Sequence, residues 1–409
     1  MMTELSKLQK VVAYSLSGEF YKNKIGVLHQ DILPIDSIQS FERIPFTTKE
    51  ELRSNDSEMF LCTSFEKVRR VHSSSGTKGM PTITYYSNHD LIVWQEHISQ
   101  AFKIAGLVPG DIFQTMVGFG MFSGGLGFQL AAESYGMSVV PVGLGNTARQ
   151  LEFLMKFKVN SFVTISSYLP ILANCMKKEG MDPKRDLSLK AIFIGAEPIN
   201  LQERDELSLY FGVPILNIYG LSEIEGPGIG YECKYGGGMH ICNDDFYVEI
   251  IDPKTGICLP YGQEGEIVVT TLNRECMPLI RFRTGDISRI YYEKCPCCDE
   301  NVLKMDYVKR RTDDMFIIRG VNIYPNEIEN IIVNIPEIHN AFKIVISKND
   351  TLTLRLAYRE NGKTKDIIEK HIISEIKKWL FITVNIEWID IEDIIDYRGK
   401  RSFVIDERV

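Results

Sequence analysis

The sequence predicts an α/β fold, the largest part of which is built on a mostly parallel sheet. Between residues 89 and 194, short apolar runs alternate with helical patterns, as they do in consecutive strand–helix units. Beyond about residue 228, short strand-like runs are separated by turns such as DPKTG and PYGQEG, which favours a smaller antiparallel section. After residue 311, helix and strand patterns are mixed again, and this segment is long enough for a small separate α+β domain.

The composition is that of an ordinary globular chain. Its 409 residues are 44% hydrophobic and 24% charged, which excludes a disordered chain, a collagen and a coiled coil and suggests two or three domains. The 54 acidic and 46 basic residues give a net charge of −8, which argues against an overall surface for nucleic acid or anionic membrane. There is no apolar run of about 18 residues and no signal-peptide pattern, so a cytoplasmic protein is predicted.

The individual elements are predicted in order from the amino terminus. Residues 46–53 (FTTKEELR) indicate a helix start, because capping threonines precede two glutamates. Residues 68–87 predict a strand, a polar glycine-rich loop and a second strand. Strands are then predicted at 112–117, 137–142, 161–165 and 189–194, and helices at 89–105, 127–135, 148–157 and 170–178. The segment GFGMFSGGLG, between the strand at 112–117 and the next helix, is predicted to be a glycine-rich turn.

A polar stretch at residues 307–325 (YVKRRTDDMFIIRGVNIYP) indicates a domain boundary. We therefore expect a catalytic domain at 1–309 and a C-terminal domain at 310–409. Within the second domain, helices are predicted at 325–333 and 365–380, and strands at 341–347, 351–358 and 384–388.

Residues 73–81 (SSSGTKGMP) combine hydroxyl side chains, two glycines and a lysine after a predicted strand. Glycine lets the backbone approach a phosphate, serine and threonine add hydroxyl donors, and lysine adds positive charge. The loop is not a Walker A sequence, since GxxxxGK[ST] is absent. From these residues alone, a phosphate site and a flexible hairpin turn both remain open.

Three further segments are weak signals when each is taken alone. Glu223 in YGLSE follows a predicted strand and suits a Mg²⁺ ligand in a phosphate site, although a solvated loop carboxylate is the simpler interpretation. Asp286 in RFRTGD suits the two hydroxyls of a ribose, but an ordinary turn has the same pattern. The polar boundary at 311–325 fits a hinge or a plain linker.

Taken together, in this order and spacing, the segments resemble the adenylate-forming acyl-CoA synthetase superfamily and, more narrowly, the phenylacetate–CoA ligase family. The motifs that carry the resemblance are FTTKEELR, SSSGTKGMP, GFGMFSGGLG, GAEP, YGLSE followed by GPG, RFRTGD, RRTDDMFIIRGVNIYP and a C-terminal GK. The resemblance covers nearly the whole chain. It implies a large adenylate-forming domain and a small mobile C-terminal domain. It also implies a two-step reaction, in which a carboxylate attacks the α-phosphate of ATP, and the thiol of coenzyme A then displaces AMP from the acyl-adenylate.

The resemblance also implies roles for residues of the N-terminal domain. The residues implied to bind the β- and γ-phosphates are Ser73, Ser74, Ser75, Gly76, Thr77, Lys78 and Gly79. The implied Mg²⁺ ligands are Glu223 and Ser222, and the ribose is implied to bind Asp286, with Arg311 nearby. The adenine is framed by Gly195, Ala196, Glu197, Pro198 and Tyr219. The acyl pocket is lined by Phe119, Met121, Phe122 and Gly124, near Ala196 and Gly220.

In the C-terminal domain, the resemblance implies that Lys400 offsets negative charge during adenylation and that Asp313 is the hinge of a domain rotation. The rotation would withdraw Lys400 and bring in the segment around Gly320 for the thioester step. The phosphate loop departs from the family's usual SSGTTGKP, because Lys78 lies two residues closer to the N-terminus.

Three of the nine cysteines are packed into CPCC at 295–298. Cys295 and Cys297 resemble a C-x-C-G element that relatives often combine with an upstream cysteine and histidine, here Cys233 and His240. Three thiolates and one imidazole imply a closed, structural Zn²⁺ site that staples about residues 228–300. Free thiols with a turn histidine are the alternative, and Cys298 could take the place of Cys297.

The leading functional prediction is ligation of an aromatic or arylacetic acid to coenzyme A. The first alternative is an aryl-acid adenylating enzyme that delivers the acyl group to a carrier-protein pantetheine or another nucleophile. A degenerate nucleotide-binding protein is the second, and the presence of Glu223, Asp286 and Lys400 argues against it. The oligomeric state stays open, with a homodimer common in similar enzymes, and nucleic-acid and membrane partners are not expected.

Overall fold

The chain divides into two units, which are described separately. The first comprises Met1–Ala196 and Arg204–Tyr307, and the second comprises Glu197–Glu203 and Val308–Val409. The computed structural model describes residues 3–27, 32–74, 81–119, 121, 123–197, 201–312, 316–318, 321–323, 325–333, 335–347, 351–360, 362–394 and 404–407. No helix in these ranges is long and apolar enough to cross a membrane.

The first unit begins with short helices. They are α1 (Glu4–Ser15), α2 (Glu19–Tyr21), which continues into a π-helical turn (Lys22–Val27), α3 (Ile38–Glu42) and α4 (Lys49–Ser54), followed by 3-10 turns at Ser57–Phe60 and Phe65–Lys67. The helix start predicted in FTTKEELR is present. Thr48 and Glu51 form a reciprocal capping box, in which each side chain accepts a hydrogen bond from the backbone N–H of the other residue.

Two antiparallel strands, β1 (Val68–Ser73) and β2 (Ile83–Ser87), follow as predicted. The next strands form one mixed sheet with the order β10-β11-β12-β13-β9-β8-β7-β6-β5-β3-β4. Their bounds are β3 (Ile112–Thr115), β4 (Ser138–Val140), β5 (Ser161–Ile165), β6 (Ala191–Gly195), β7 (Ile215–Leu221), β8 (Gly226–Glu232), β9 (Met239–Ile241), β10 (Phe246–Ile251), β11 (Glu264–Thr271), β12 (Phe282–Cys295) and β13 (Glu300–Met305).

The strands from β3 to β7 pair in parallel, whereas β7–β8 and the pairs beyond it are antiparallel. Both halves of the predicted sheet are therefore present. The 14-residue strand β12 joins two parts of the antiparallel section, since its first half pairs with β11 and its second half with β13.

Helix α5 (Asn88–Ile104) leads from β2 to β3. Further helices connect the parallel strands, at α6 (Ser123–Ser134), α7 (Thr147–Lys156), α8 (Leu169–Lys178), α9 (Pro183–Asp186) and α10 (Leu201–Phe211). The turn predicted for GFGMFSGGLG is wrong in its second half, because α6 begins at Ser123. A Cβ atom on Gly127 would lie 2.2 Å from the ring of Trp94, so glycine allows α6 to approach α5 closely. Close packing, rather than a turn, accounts for this glycine.

Aromatic side chains fill the core between the sheet and α5 and α6. Trp94 and Phe102 on α5, Phe113 on β3, Phe128 on α6 and Phe193 on β6 are all buried in one cluster. Their burial removes the apolar faces of two helices and the sheet from water. The loops at the ends of β6 and β7 are thereby held on a rigid support.

The second unit is a small α+β structure. Its elements are β14 (Arg310–Arg311), β15 (Phe316–Ile318), β16 (Val321–Ile323), α11 (Pro325–Val333), β17 (Ile338–Ile346), β18 (Leu352–Tyr358), α12 (Lys365–Leu380), β19 (Val384–Trp388), α13 (Ile391–Ile394) and β20 (Val404–Asp406). Strands β19-β18-β17-β20 form a sheet in that order. Isoleucines of α11 and α12 pack against it in a core of their own.

Candidate functional site

The turn that follows β7 carries Ser222 and Glu223, the predicted metal-binding pair. The turn begins where β7 and β8 approach very closely, since a Cβ atom on Gly220 would lie 1.8 Å from the carbonyl oxygen of Gly226. Only glycine permits this approach without a shift of the backbone. The sequence YGLSE therefore places a hydroxyl and a carboxylate side by side at the end of a central strand.

Glu223 is almost fully buried, and two side chains hold its carboxylate. Its Oε1 atom lies 3.1 Å from the ammonium of Lys49, at the start of α4. The hydroxyl of Thr82 donates to the same oxygen at 3.2 Å. Burial alone would raise the pKa of the Glu223 carboxyl, but the charge of Lys49 lowers the pKa below its ordinary value. The carboxylate is therefore charged at neutral pH.

Alternate residues of β2 hold successive groups of this turn. Thr82, just before the strand, binds the Glu223 side chain, and Thr84 donates its hydroxyl to the carbonyl of Ser222 at 3.0 Å. Tyr86 donates its hydroxyl to the carbonyl of Glu225 at 2.8 Å. Because side chains of a strand alternate between its two faces, these three positions share one face. That face of β2 fixes the turn.

The predicted nucleotide residues Tyr219 and Asp286 are in contact with each other. The Tyr219 hydroxyl donates to Oδ2 of Asp286 at 2.7 Å, and the aspartate is 3% exposed. Two predicted site residues that lie far apart in the chain thus meet beside the turn that carries Glu223. Both arginines of RFRTGD are paired elsewhere, Arg281 with Glu249 and Arg283 with Glu266. Asp286 is therefore the residue of the motif that the structure joins to Tyr219.

Two hydrogen bonds join Ser74, near the start of the predicted phosphate loop, to Thr82, just after its end. The backbone N–H of Ser74 donates to the carbonyl of Thr82 at 3.0 Å, and the N–H of Thr82 donates to the Ser74 hydroxyl at 3.1 Å. The carbonyl oxygen of Met121 lies 3.0 Å from the backbone nitrogen of Ser73. The start of the predicted phosphate loop is thus bonded to the predicted acyl segment.

In the predicted acyl segment, the described residues include Phe119, Met121 and Gly124. The ring of Phe119 lies against Gly143, where an added Cβ would be 3.2 Å from its Cδ2 atom. Met121 is 51% exposed, and a Cβ added to Gly124 would meet no atom within 4 Å among the residues that the structure describes. Open space therefore lies beside Gly124, as a substrate pocket requires.

The GAEP segment begins at the end of β6 with a strained turn. Ala196 has a φ of +67°, a value that residues other than glycine seldom adopt. Gly195 before it lies so close to β7 that a Cβ would be 2.8 Å from the carbonyl oxygen of Ile218. Such strain at the end of a parallel strand is common at ligand sites. Glu197 and Arg311 belong to the second unit, the latter on β14.

The predicted zinc ligands form one cluster. Cys233 follows β8, His240 lies on β9, Cys295 ends β12 and Cys297 follows it, and their ligand atoms all lie within 4.8 Å of one another. The sulfurs of Cys233 and Cys295 are 3.6 Å apart, and the Nε2 atom of His240 lies 3.2 Å from the Cys295 sulfur. The structure brings in Cys297 rather than Cys298, which is exposed.

The cluster has the donor set that tetrahedral zinc prefers, three sulfurs and one imidazole nitrogen. Burial, together with the charge of Lys304, lowers the pKa of His240 to about 4. The imidazole is therefore neutral at pH 7, as a metal ligand must be. The four residues fit the ion and leave no protein position for a substrate.

Several predicted site residues lie outside the described residues. They are Ser75, Gly76, Thr77, Lys78, Gly79, Phe122, Pro198, Asp313, Gly320 and Lys400. Their predicted roles stay predictions.

Sequence reasoning missed the side chains that hold the site from behind. Thr82 and Thr84 carry a usable signal, because their spacing of two in a predicted strand places them on one face. Lys49 and His97 carry none, since only the tertiary fold brings them to Glu223 and Glu225.

The arrangement suits charge stabilisation and positioning rather than covalent catalysis. A charged carboxylate with a neighbouring hydroxyl can hold a divalent cation through oxygen ligands, and the buried Asp286 can accept hydroxyl groups of a sugar. Thr82, which is bonded to Ser74 at the start of the predicted phosphate loop, donates to the Glu223 carboxylate. These are the groups that a reaction at a nucleotide phosphate requires.

Comparison with protein families agrees with this chemistry. Residues 68–273 match the AMP-binding enzyme family, and residues 320–408 match the AMP-binding enzyme C-terminal domain. A crystal structure of 2-hydroxyisobutyryl-CoA ligase, in the postadenylation state with an acyl-AMP, is similar with a TM-score of 0.86 at 25% identity. The similarity covers 99% of this chain and 89% of that one.

Relatives with known activity are more similar in sequence. The phenylacetate-coenzyme A ligase of Thermus thermophilus is 40% identical over 348 residues, which are 85% of this chain and 78% of the relative. That of Aromatoleum evansii is 35% identical over 394 residues, 93% of this chain and 88% of the relative. The chain therefore belongs to the phenylacetate–coenzyme A ligase family of the adenylate-forming AMP-binding enzymes, and is an AMP-forming ligase that joins an acid to coenzyme A at the expense of ATP.

Proposed function

We propose that the acid is an aromatic or arylacetic acid. The observation that carries this proposal is the identity of 31–40% with phenylacetate-coenzyme A ligases from four bacteria over most of the chain. The segment with Phe119 and Met121, next to the open space at Gly124, supports an apolar pocket for the acyl group.

In the first step, the acid's carboxylate attacks the α-phosphate of ATP, and pyrophosphate leaves. Ser73–Gly79 would hold the β- and γ-phosphates, and Asp286, with Arg311, would hold the ribose. Gly195–Pro198 and Tyr219 would frame the adenine. These residues form no covalent bond to the substrates. Their contribution is to orient the substrates and to offset the charge that develops on phosphate oxygens.

Glu223 and Ser222 would hold Mg²⁺ in this step. The fit rests on the buried, charged carboxylate, whose Oε1 atom now lies 3.1 Å from the Lys49 ammonium. When bound, the ion supplies positive charge that neutralises the phosphate oxygens. The part played by the chain is to keep Glu223 ionised and in place.

In the second step, the thiol of coenzyme A attacks the acyl carbonyl, a thioester forms and AMP leaves. We propose that the C-terminal domain, from about residue 310, rotates about Asp313 between the two steps. Lys400 would serve the first step and the segment around Gly320 the second. The separate core of the second unit supports a domain that moves as one body.

Zn²⁺ would be a structural ion held by Cys233, His240, Cys295 and Cys297. These residues lie at the ends of two hairpins, β8–β9 and β12–β13, and β9 pairs with β13. The ion would therefore staple the antiparallel section.

A panel of aromatic, arylacetic and short aliphatic acids, each given with ATP and magnesium chloride, tests the substrate class. We expect pyrophosphate release with arylacetic or aromatic acids, and thioester formation once coenzyme A is added. A preference for small aliphatic acids would contradict the proposed class. Thioester formation with a pantetheinylated carrier protein, but none with coenzyme A, would favour carrier-protein delivery as the physiological acceptor.

A homodimer is a further proposal that rests on similar enzymes alone. Light scattering at several protein concentrations measures the assembly directly. A monomer mass at all concentrations would contradict it.

A further inference from the structure

His97 is a buried histidine that the proposed mechanism does not use. It lies on α5 and is 4% exposed. Its Nδ1 atom is 2.7 Å from Oε2 of Glu225, and its Nε2 atom is 2.9 Å from Oδ2 of Asp245. Both ring nitrogens therefore face carboxylates, and an imidazolium donates to both. A ring held at both ends has one orientation.

The partner of His97 belongs to the turn of the site. Glu225 lies two residues after Glu223, and its carbonyl accepts the Tyr86 hydroxyl at 2.8 Å. Two residues farther on, the carbonyl of Pro227 accepts the indole N–H of Trp94 at 2.7 Å. Because His97 and Trp94 are on the same helix, α5 binds the turn at Glu225 and the start of β8 at Pro227.

The side chain of Glu225 is held in place by its ion pair with His97. Its carboxylate is 5% exposed, and His97 is the ion-pair partner that the structure gives it among the described residues. Without that partner, the buried carboxylate would turn towards water or towards another donor. Because Glu225 and Glu223 share one turn, we expect either movement to shift the peptide groups between them.

We propose that His97 is a positioning residue for the adenylation step, which fixes the turn of Ser222 and Glu223 by holding Glu225. The proposal rests on the assignment of Glu223 to Mg²⁺ in the proposed function. The bonds of His97 go to Glu225 and Asp245, and of these two Glu225 is the residue in the turn of the predicted pair, so the effect of His97 on that pair passes through Glu225.

The test separates the two half-reactions in the His97→Asn variant of the full chain. We expect the rate of pyrophosphate release with the carboxylic acid substrate to fall about tenfold, as for residues that orient a metal ligand. The magnesium concentration that gives the half-maximal rate should rise. Attack of coenzyme A on supplied acyl-adenylate should stay at the parental rate. Calorimetric affinity for ATP should fall with magnesium chloride present and stay unchanged with EDTA.

His89→Gln is the matched control, because His89 is on the same helix and its Nε2 bonds to Asn273 at the surface. It should behave as the parent in every assay. Equal losses in both half-reactions, or an unchanged magnesium dependence, would overturn the proposal. If His97→Asn yields little folded protein, the variant His97→Asn with Glu225→Gln takes its place, since it removes the buried charge of Glu225 together with that of His97. A parent without acid-dependent pyrophosphate release would refute the proposed function instead.

Discussion

At the scale of single residues, the ionised state of Glu223 depends on one lysine. Glu223 is 3% exposed, and a carboxylate so deeply buried would ordinarily take up a proton. Lys49, 3.1 Å away, reverses this tendency. The residue that keeps the predicted metal ligand charged thus comes from the N-terminal helices and not from the sheet that carries the ligand.

Replacing Lys49 with Met should make adenylation sensitive to acid. Without the ammonium, burial raises the pKa of Glu223, so the acid side of the pH–rate profile moves to higher pH. We expect about a tenfold loss of pyrophosphate release at pH 6 and a smaller loss at pH 8. Rates measured from pH 5.5 to pH 9 test this.

Lys49→Arg keeps the charge and should keep the parental profile. Glu50→Gln, at the neighbouring exposed position of α4, controls for changes in the helix itself. A Lys49→Met profile that runs parallel to that of the parent would show that Lys49 does not set the ionisation of Glu223.

His97 should make stability fall at alkaline pH. Burial opposes its charge, but Glu225 and Asp245 raise its pKa to about 10 in the folded protein, against about 6.5 in an unfolded chain. The folded state therefore binds more protons between these values, so the contribution of His97 is complete below pH 6.5 and is lost as pH rises through 10.

The measurement is urea unfolding of the parent and of His97→Asn at several pH values from 6 to 10.5. The difference in the free energy of unfolding between them should be largest at pH 6 and shrink towards pH 10. A constant difference would show that the histidine is not charged in the fold.

At the scale of elements, the alternating pattern predicts the parallel strands and their helices, but not all of their bounds. The predicted strand at 161–165 and helix at 365–380 match β5 and α12. The prediction fails at α6, because its glycines resemble a turn although they serve close packing against Trp94. Helix α10 is absent from the prediction because its apolar residues have almost no helical periodicity.

Gly124→Ala should change substrate preference without weakening the fold. The added methyl group meets open space, so the midpoint of thermal unfolding should match that of the parent. It would narrow the proposed pocket, and we expect KM for a bulky aryl acid to rise by about tenfold, while a smaller acid is little affected.

Gly125→Ala, one residue farther along α6, is the contrasting variant. Its Cβ atom would lie 2.6 Å from the carbonyl oxygen of Gly118. The variant should therefore have a lower midpoint of thermal unfolding, and it should affect all substrates alike. If Gly124→Ala alters no KM, the open space beside Gly124 is not part of the acyl pocket.

The hairpins β8–β9 and β12–β13 should depend on a metal ion for their stability. We expect about one zinc per chain in the purified parent and loss of that zinc in Cys295→Ser. The unfolding midpoint of the variant should fall by about 5 °C or more, roughly 3 kcal/mol for a domain of this size. Plasma emission spectrometry and calorimetry measure the two quantities.

Cys298→Ser is the control, because Cys298 is exposed and outside the cluster of four ligand atoms. It should retain both zinc and stability. A parent with less than about half an equivalent of zinc after gentle purification would count against the site.

At the scale of the whole molecule, the site draws on segments that are far apart in sequence. Motifs in the sequence predict Ser222, Glu223, Tyr219 and Asp286, because each belongs to a recognisable pattern. The bonds that hold them, from Lys49, Thr82 and Thr84, join α4 and β2 to a turn beyond β7. The spacing of Thr82 and Thr84 predicts that they share a face of β2, but the groups that they and Lys49 bind are determined by three-dimensional packing.

Lys400→Ala should separate the two reactions of the enzyme. If the C-terminal domain presents Lys400 only for adenylation, the variant should lose about a hundredfold or more in pyrophosphate release, because a cation near the reacting phosphate is removed. Thioester formation from supplied acyl-adenylate and coenzyme A should remain at the parental rate. Single-turnover assays of each half-reaction measure both. Lys377→Ala, at an exposed position on α12 of the same unit, should leave both rates unchanged. Equal losses in the two half-reactions of Lys400→Ala would contradict a rotating domain, because a lysine withdrawn before the second step cannot affect it.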